Sequence, residues 1–391
     1  MSIVIFGDLF SFPEGEAATN RVYTYANGFS KNGIRVHVIC FSNDYNTPVD
    51  GTIDGVNFYN PFGHKERSSS FLRRRWQKFM KYIKTIALVR NINRNDKIVA
   101  INSWTQVLPT LIFAYSLAKL SRSEILIESS EHPLRYYQGS FLGRIKGKVK
   151  LYFELKLSDG ILCISDYLIQ FYTQQGYNPN KLLLIPSTVD PDRFNQNGKK
   201  MYSFPYIGYF GGLTFYRDNI DLLVKAFKEV SIKHPDIHLV LGGFCSSTEK
   251  DQLKDLITEL RLSKKVELLE YLPRQEILNY VANAHVLVMV RSNDLAAAAS
   301  FPSKLTEFLA TAKPVVSVNV GEISNYLTDN VNSFLIEPED INALIEKLNY
   351  VLNNYDIARN VGLRGKELTS TIFNYRYQAG RIIDFINNRK N

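Results

Sequence analysis

The sequence predicts an α/β protein built from two doubly wound, mostly parallel sheets. Three observations carry that expectation. Short apolar runs alternate with segments of helical period along the whole chain, and the alternation restarts near the middle. The 391 residues, 45% hydrophobic and 22% charged, are also ample for two cores. "SIVIFG" (2–7) is a short buried strand by its unbroken apolar run. A polar loop with Pro13 and Gly15 follows, then "AATNRVYTYANGFSKNG", where Val22, Tyr25, Ala26 and Phe29 recur at helical spacing. Gly33 closes that helix and "RVHVICF" is the next strand, completing a βαβ unit.

The same plan repeats in "KIVAINS" before "VLPTLIFAYSLAKL", "EILIESS" before a basic segment, and "GILCIS" before "DYLIQFYTQQG". "LLLIPSTV" ends the first half. At "YIGYFGGLTFYRDNIDLLVKAFKEV" the pattern restarts with a strand, a glycine turn and a long helix; "IHLVLGGF", "VELLEYL", "HVLVMV", "PVVSVN" and "SFLIEP" follow as strands. The polar stretch "FNQNGKKMYSFP" (194–205) is the expected joint. Residues 1–200 are therefore read as one domain and 201–370 as a second, with 371–391 as a helix returning to the first.

Fourteen prolines and 22 glycines without a low-complexity tract argue for folded structure throughout. Cys40, Cys163 and Cys245 lack metal-ligand spacing and are expected as thiols in a reducing compartment. "MSIVIFGDLF" is too quickly polar for a signal peptide, and no apolar run approaches the ~20 residues of a membrane span, so a cytoplasmic location is expected. The net charge of +9 is uneven: residues 61–160 hold 19 Lys/Arg against 7 Asp/Glu, more excess charge than the whole chain carries.

Two such sheets would face one another across a cleft lined by the carboxyl ends of their strands, where ligands bind in this architecture. Gly211-Gly212 follows "YIGYF" and precedes a helix, so backbone N–H groups there can approach a diphosphate. Arg217, a few residues on, can offer a forked cation. In "SFPSKLTEFLA", Pro302 suits a first helical turn, and Lys304 and Glu307 lie three apart on one face. A solvated Lys–Glu pair is the ordinary reading of that spacing. A helix beginning at a sheet edge instead turns the pair towards the cleft, the carboxylate to a ribose and the lysine to phosphate.

With these residues the chain resembles a retaining GT-B glycosyltransferase of family four, over nearly its whole length. The resemblance rests on "FPEGEAATNRVYTYANGFSKNGIRVHVI", "CISDYLIQFYTQQG" with "KLLLIPSTVDPDRF", "YFGGLTFYRDNIDLLVKAF", "EYLPRQEILNYVANAHVLVMV" and "PSKLTEFLATAKPVVSVNVGEISNYL", in order. It implies that Glu307 is the second glutamate of the family's Glu-seven-residues-Glu element, which holds the nucleotide ribose. The first glutamate's place is Ala299, so that contact would fall to backbone around Ser300 and Phe301, with Ser303 and Lys304 in the helix start of a "PSK" branch. The arginine of the family's "G-R-L" turn is Gly212 here and its lysine is Arg217, so diphosphate charge would rest on Arg217 and Lys304. In the first half Gly15 would approach donor phosphate and acceptor, with Glu14, Glu16, Asn20 and Arg21 around it. Glu131 and His132, after "EILIESS", would meet donor sugar or acceptor hydroxyl. The implied donor is a nucleotide sugar, with no cofactor and no metal.

Residues 67–94 mix Arg73, Arg74, Arg75, Lys78, Lys81 and Lys84 with Phe71, Leu72, Trp76, Phe79, Met80 and Ile83. On a helix the apolar residues share a face flanked by most of the cations, which is the pattern of an interfacial helix on an anionic membrane. "RYYQGSFLGRIKGKVKLYF" (135–153) is a second such stretch. No nucleic-acid motif accompanies the charge. The expectation is a hexose-type transferase, peripheral on the inner face of the membrane, acting on a lipid-linked or surface-glycan acceptor in polysaccharide biosynthesis. The alternatives are a soluble acceptor and a non-catalytic sugar-nucleotide or glycan binder.

Overall fold

A computed structural model describes the chain apart from residues 16, 46, 138, 195–199, 270–273 and 390–391. The first unit holds β1 (Ser2–Gly7), β2 (Arg35–Cys40), β3 (Asp50–Ile53), β4 (Val56–Tyr59), β5 (Ile98–Trp104), β6 (Glu124–Ser129), β7 (Gly160–Cys163) and β8 (Leu182–Leu184). They form one sheet in the order β3-β4-β2-β1-β5-β6-β7-β8. All pairs are parallel except the β3–β4 hairpin. That hairpin is absent from the expectations above. Its signal is Asp54-Gly55, both at positive φ (50° and 78°), a turn suited to joining twisted antiparallel strands.

Alternation along β1 explains the layering. Ile3 and Ile5 pack with Val22, Tyr25 and Phe29 on one face; Val4 and Phe6 pack with Val89 and Leu117 on the other. A parallel sheet covered on both faces needs this continuous apolar run. Helix Tyr375–Asn387 joins this unit, lying against helix Ala17–Lys31. Gly28 allows the approach, because a Cβ there would stand 2.6 Å from Ala379 Cβ and from the Tyr375 carbonyl oxygen.

The second unit holds β9 (Tyr206–Phe210), β10 (His238–Gly242), β11 (Val266–Leu269), β12 (Val286–Met289), β13 (Val315–Val318) and β14 (Phe334–Ile336). Its sheet runs β11-β10-β9-β12-β13-β14 and is wholly parallel. The units divide at Thr188/Val189 and at Asn374/Tyr375. The first boundary corrects the expected joint at 200/201. Val189 already belongs to the second unit, since its N–H donates to the Phe373 carbonyl at 2.9 Å and it bridges Asn374. Residues 195–199 of the expected joint lie outside the described residues.

In each sheet the strand order reverses beside its first strand, between β1 and β5 and between β9 and β12. Loops at the carboxyl ends of those strands are where doubly wound sheets bind ligands.

Candidate functional site

In the second unit the switch-point loops are the Gly211–Asp218 segment after β9 and the segment from Val290 to Phe301 after β12. They are tied together by the N–H and the hydroxyl of Ser292, both donating to the Arg217 carbonyl (3.0 and 3.2 Å). The glycine pair leaves room for the ends of two side chains. A Cβ on Gly211 would lie 2.7 Å from Lys304 Cε, and one on Gly212 would lie 2.5 Å from Asp218 Oδ2. Lys304 therefore lies across the turn. Its Nζ donates to the Tyr209 hydroxyl at 2.8 Å and sits 4.4 Å from that ring's centroid. The Tyr209 hydroxyl in turn donates to the Gly212 carbonyl at 2.9 Å, so one buried phenol braces both the lysine and the turn.

Asp218 Oδ1 stands 3.6 Å from Lys304 Nζ. Burial pushes the Lys304 ammonium down to about 8, Arg291 and Arg217 push the same way, and Asp218 opposes them. Arg291 is buried and donates from Nη2 to Ser300 Oγ at 3.1 Å. Ser300 Oγ donates to the Ala296 carbonyl at 2.5 Å. Lys304, Arg217, Arg291 and Asp218 act on one another here, beside a glycine turn and the start of helix Ser303–Ala310. Cations at a helix start suit a polyanion.

Of the residues singled out in this half, Gly211, Gly212, Arg217, Ser300, Ser303 and Lys304 come together at this edge. Ser303 opens the helix, which lacks a side-chain cap. Glu307 lies half-buried one turn along the same helix. Phe301 is different: its ring is buried against Tyr326 and Phe373 (centroids 5.4 and 5.3 Å), so any contact it makes with a ligand is through its backbone. Ala299 is fully buried and ends the short helix Leu295–Ala298. Sequence reading missed Tyr209, Asp218 and Arg291. Tyr209 lies in β9, Asp218 ends the short helix Phe215–Asp218 and Arg291 follows β12, and only the fold brings them to Lys304.

In the first unit Gly15 sits in a loop closed by Thr19, whose hydroxyl donates to the Ser11 carbonyl at 2.7 Å. Glu14 is exposed there, and Glu16 lies outside the described residues. Arg21 corrects the expectation that placed it beside Gly15. It is buried, with Nε 2.7 Å from Glu128 Oε1 and its two Nη atoms donating to the Ile185 and Pro186 carbonyls at 2.7 Å. Glu131 pairs with Arg135 at 3.1 Å. His132 is buried, its Nδ1 accepting from the Leu134 N–H at 3.2 Å and its ring centroid 4.8 Å from that of Phe171. Burial lowers its pKa and keeps the imidazole neutral.

Helix Phe71–Asn95 buries Gln77, Lys81, Thr85, Val89 and Ile92 and exposes Leu72 (78%), Trp76 (61%), Phe79 and Ile83. Arg73 and Arg75 border this apolar face, and Lys78 is exposed. Arg74 turns back to the Ser68 and Ser69 carbonyls (2.8 and 2.9 Å). Lys81 does not flank the face but points inward, donating to the Phe41 carbonyl at 2.7 Å and Asn43 Oδ1 at 2.9 Å. On helix Phe141–Leu157 a second stripe of Leu142, Ile145, Val149 and Tyr152 is exposed.

Two family descriptions cover the chain in succession: Glycosyltransferase Family 4 matches residues 18–193 and Glycosyl transferases group 1 matches 192–368. Between them these two glycosyltransferase descriptions match residues 18–368, and the two parallel-sheet α/β units are those of the GT-B fold. It is 26% identical over 226 residues to an uncharacterized glycosyltransferase of Methanocaldococcus jannaschii, covering 58% of each chain. It is 24% identical over 201 residues to the D-inositol 3-phosphate glycosyltransferase of Corynebacterium urealyticum, covering 47% of this chain and 46% of that one. The matches thus span less than two thirds of these relatives. In fold it is similar to a sucrose-phosphate synthase of Thermosynechococcus elongatus (TM-score 0.72, 16% identity, 99% of both chains). It is also similar to Anabaena HepE solved with UDP and glucose (TM-score 0.73, 15% identity, 99% of this chain and 100% of that one).

Proposed function

We propose that this glycosyltransferase takes a sugar from a nucleotide-diphosphate donor, with retention and without a metal, and passes it to a lipid-linked or surface-glycan acceptor. The observation that supports the donor half is the meeting of Lys304, Asp218, Arg217 and Arg291 at the β9–β12 switch point beside a glycine turn and a helix start. Cleaving the bond between the anomeric carbon and the diphosphate builds negative charge on the phosphate and positive charge on the sugar ring. Lys304 and Arg217, beside the Gly211–Gly212 turn, stabilise the first, and they do so most where the charge is largest, in the transition state. The Gly211 N–H is not available for this, because it donates to the Gly242 carbonyl at 2.8 Å. Glu307 takes the ribose hydroxyls. Glu131 and His132 serve the sugar or acceptor hydroxyl, His132 as a neutral hydrogen-bonding group. Gly15 lets backbone approach the same substrates.

The acceptor half is supported by the exposed Leu72–Trp76–Phe79–Ile83 face with Arg73, Arg75 and Lys78 around it, repeated in kind on helix Phe141–Leu157. Apolar burial in the headgroup layer and attraction to anionic lipid act together on such a surface. Among the described residues no helix is long and apolar enough to cross a membrane. The proposed location is the cytoplasmic face of the membrane, reached peripherally. Relatives named trehalose synthase keep a soluble acceptor as the second reading. Incubating the protein with labelled UDP-, GDP- or ADP-sugars and either lipid extract or free sugars separates the two. Label in the organic phase with the donor's anomeric configuration supports the proposal; label only on free sugars overturns the acceptor assignment.

A further inference from the structure

Asp218 is an acidic side chain set among cations at a site read as binding a polyanion. It is also built in. Its Oδ2 accepts from the Thr214 hydroxyl at 2.8 Å and occupies the space that a side chain at Gly212 would need. Its backbone N–H lies 3.3 Å from both the hydroxyl and the carbonyl oxygen of Thr214. The carboxylate is thus held in place by the turn, so its position does not depend on the lysine alone.

The distance to Lys304 is informative. At 3.6 Å, Asp218 Oδ1 is within ion-pair range of Nζ but beyond a good hydrogen bond, while the lysine's 2.8 Å hydrogen bond goes to Tyr209. The side chains of Lys304 and Asp218 are only 21% and 11% exposed, so the ammonium needs a counter-charge when no ligand is present. The carboxylate supplies it at a separation that a ligand oxygen can replace. Arg217 and Arg291 act on the same ammonium with the opposite sign.

We propose that Asp218 is an internal stand-in for a diphosphate oxygen: it keeps the Lys304 ammonium charged and aimed in the unliganded site, and loses that partner to the nucleoside diphosphate. This rests on the donor-site reading above. Like charge makes Asp218 repel the diphosphate that Lys304 attracts, so the pair sets how tightly donor and product are held. Asp218 is a positioning residue, acting through Lys304.

The test is calorimetric titration of UDP, GDP and ADP at pH 7 into wild type, Asp218→Asn, Lys304→Ala and the double variant. Asp218→Asn keeps the shape and the Thr214 contact but removes the charge. It should tighten binding of the nucleotide that wild type prefers by about tenfold, with slower product release lowering turnover. In the Lys304→Ala background the same change should tighten binding less, because the carboxylate's main partner is gone. Asp218→Ser is carried alongside with thermal melts, so that a folding defect in one variant leaves the other to decide. Unchanged or weaker binding in folded Asp218 variants overturns the proposal while the donor site stands. Lys304→Ala binding like wild type, or no nucleotide binding at all, overturns the donor site and the proposal with it.

Discussion

The carboxyl edges of the two sheets use charge in opposite ways. In the first unit the charged groups are consumed by the fold. Arg21 meets Glu128 and two carbonyls, Lys81 caps Phe41 and Asn43, and Asp8 accepts from the Thr110 hydroxyl at 2.9 Å. In the second unit Lys304, on whose ammonium Arg217 and Arg291 also act, faces the Asp218 carboxylate at 3.6 Å, beyond a good hydrogen bond. A charge hydrogen-bonded within the fold supports structure, and an ammonium whose counter-charge stands beyond a good hydrogen bond leaves room for a ligand oxygen. The difference also separates tasks. The first unit turns cations outward around an exposed apolar helix face, while the second sets Lys304, Arg217 and Arg291 at its switch point.

The largest effect should come from breaking the first unit's edge. Arg21→Ala leaves Glu128 buried without its cation and should cost about 3–5 kcal/mol of stability, read as a lowered Tm and denaturation midpoint. A variant with wild-type stability would mean that the first unit's charges are not structural.

Lys304→Ala and Arg217→Ala should leave stability nearly unchanged and lower kcat by about 10²–10³, more than they weaken ground-state donor binding. Normal turnover at saturating donor in either variant would remove that residue from the phosphate site.

How much of this was legible in the sequence follows from where the information lies. The strands β1, β2, β5 and β9 are written in largely apolar runs, and the Lys304–Glu307 face is written in helical spacing. The β3–β4 hairpin was signalled only by Asp54-Gly55 within a short, polar stretch. Asp218, Tyr209 and Arg291 were not legible as site residues, because what joins them to Lys304 is the pairing of β9 with β12, a contact between segments some 80 residues apart. Lys81 is a related case. It lies among surface cations in sequence, and only its place on the helix face opposite Phe79 turns it inward.

Reversing Arg73, Arg74 and Arg75 to Glu tests the outward charge. Each cation near an anionic leaflet contributes about 1 kcal/mol, so binding to phosphatidylserine vesicles should fall by about a hundredfold. Donor hydrolysis in solution should be spared, and high salt should imitate the change in part. Wild-type protein that ignores anionic vesicles at low salt would leave the exposed face without this role.

A smaller effect concerns pH. The Lys304 ammonium, lowered to about 8 chiefly by burial, is charged below that value and neutral above it. Nucleotide affinity should therefore weaken as pH rises through about 8, by up to about tenfold per unit if the neutral form does not bind. Lys304→Arg, which stays charged, should remove the dependence. A flat profile in wild type would place the lysine's charge outside binding.

The account turns on a nucleotide sugar lying at the second unit's edge with its ribose on Glu307. Saturation-transfer NMR with UDP-, GDP- and ADP-glucose, on wild type and Glu307→Ala, addresses this directly. One nucleotide should show strong transfer to its ribose protons in wild type. That signal should fall in the variant, together with a loss of roughly 1.5–3 kcal/mol in donor affinity by calorimetry and an unchanged fold. Ribose transfer and affinity that are the same in both proteins, or no transfer from any of the three donors, would contradict it.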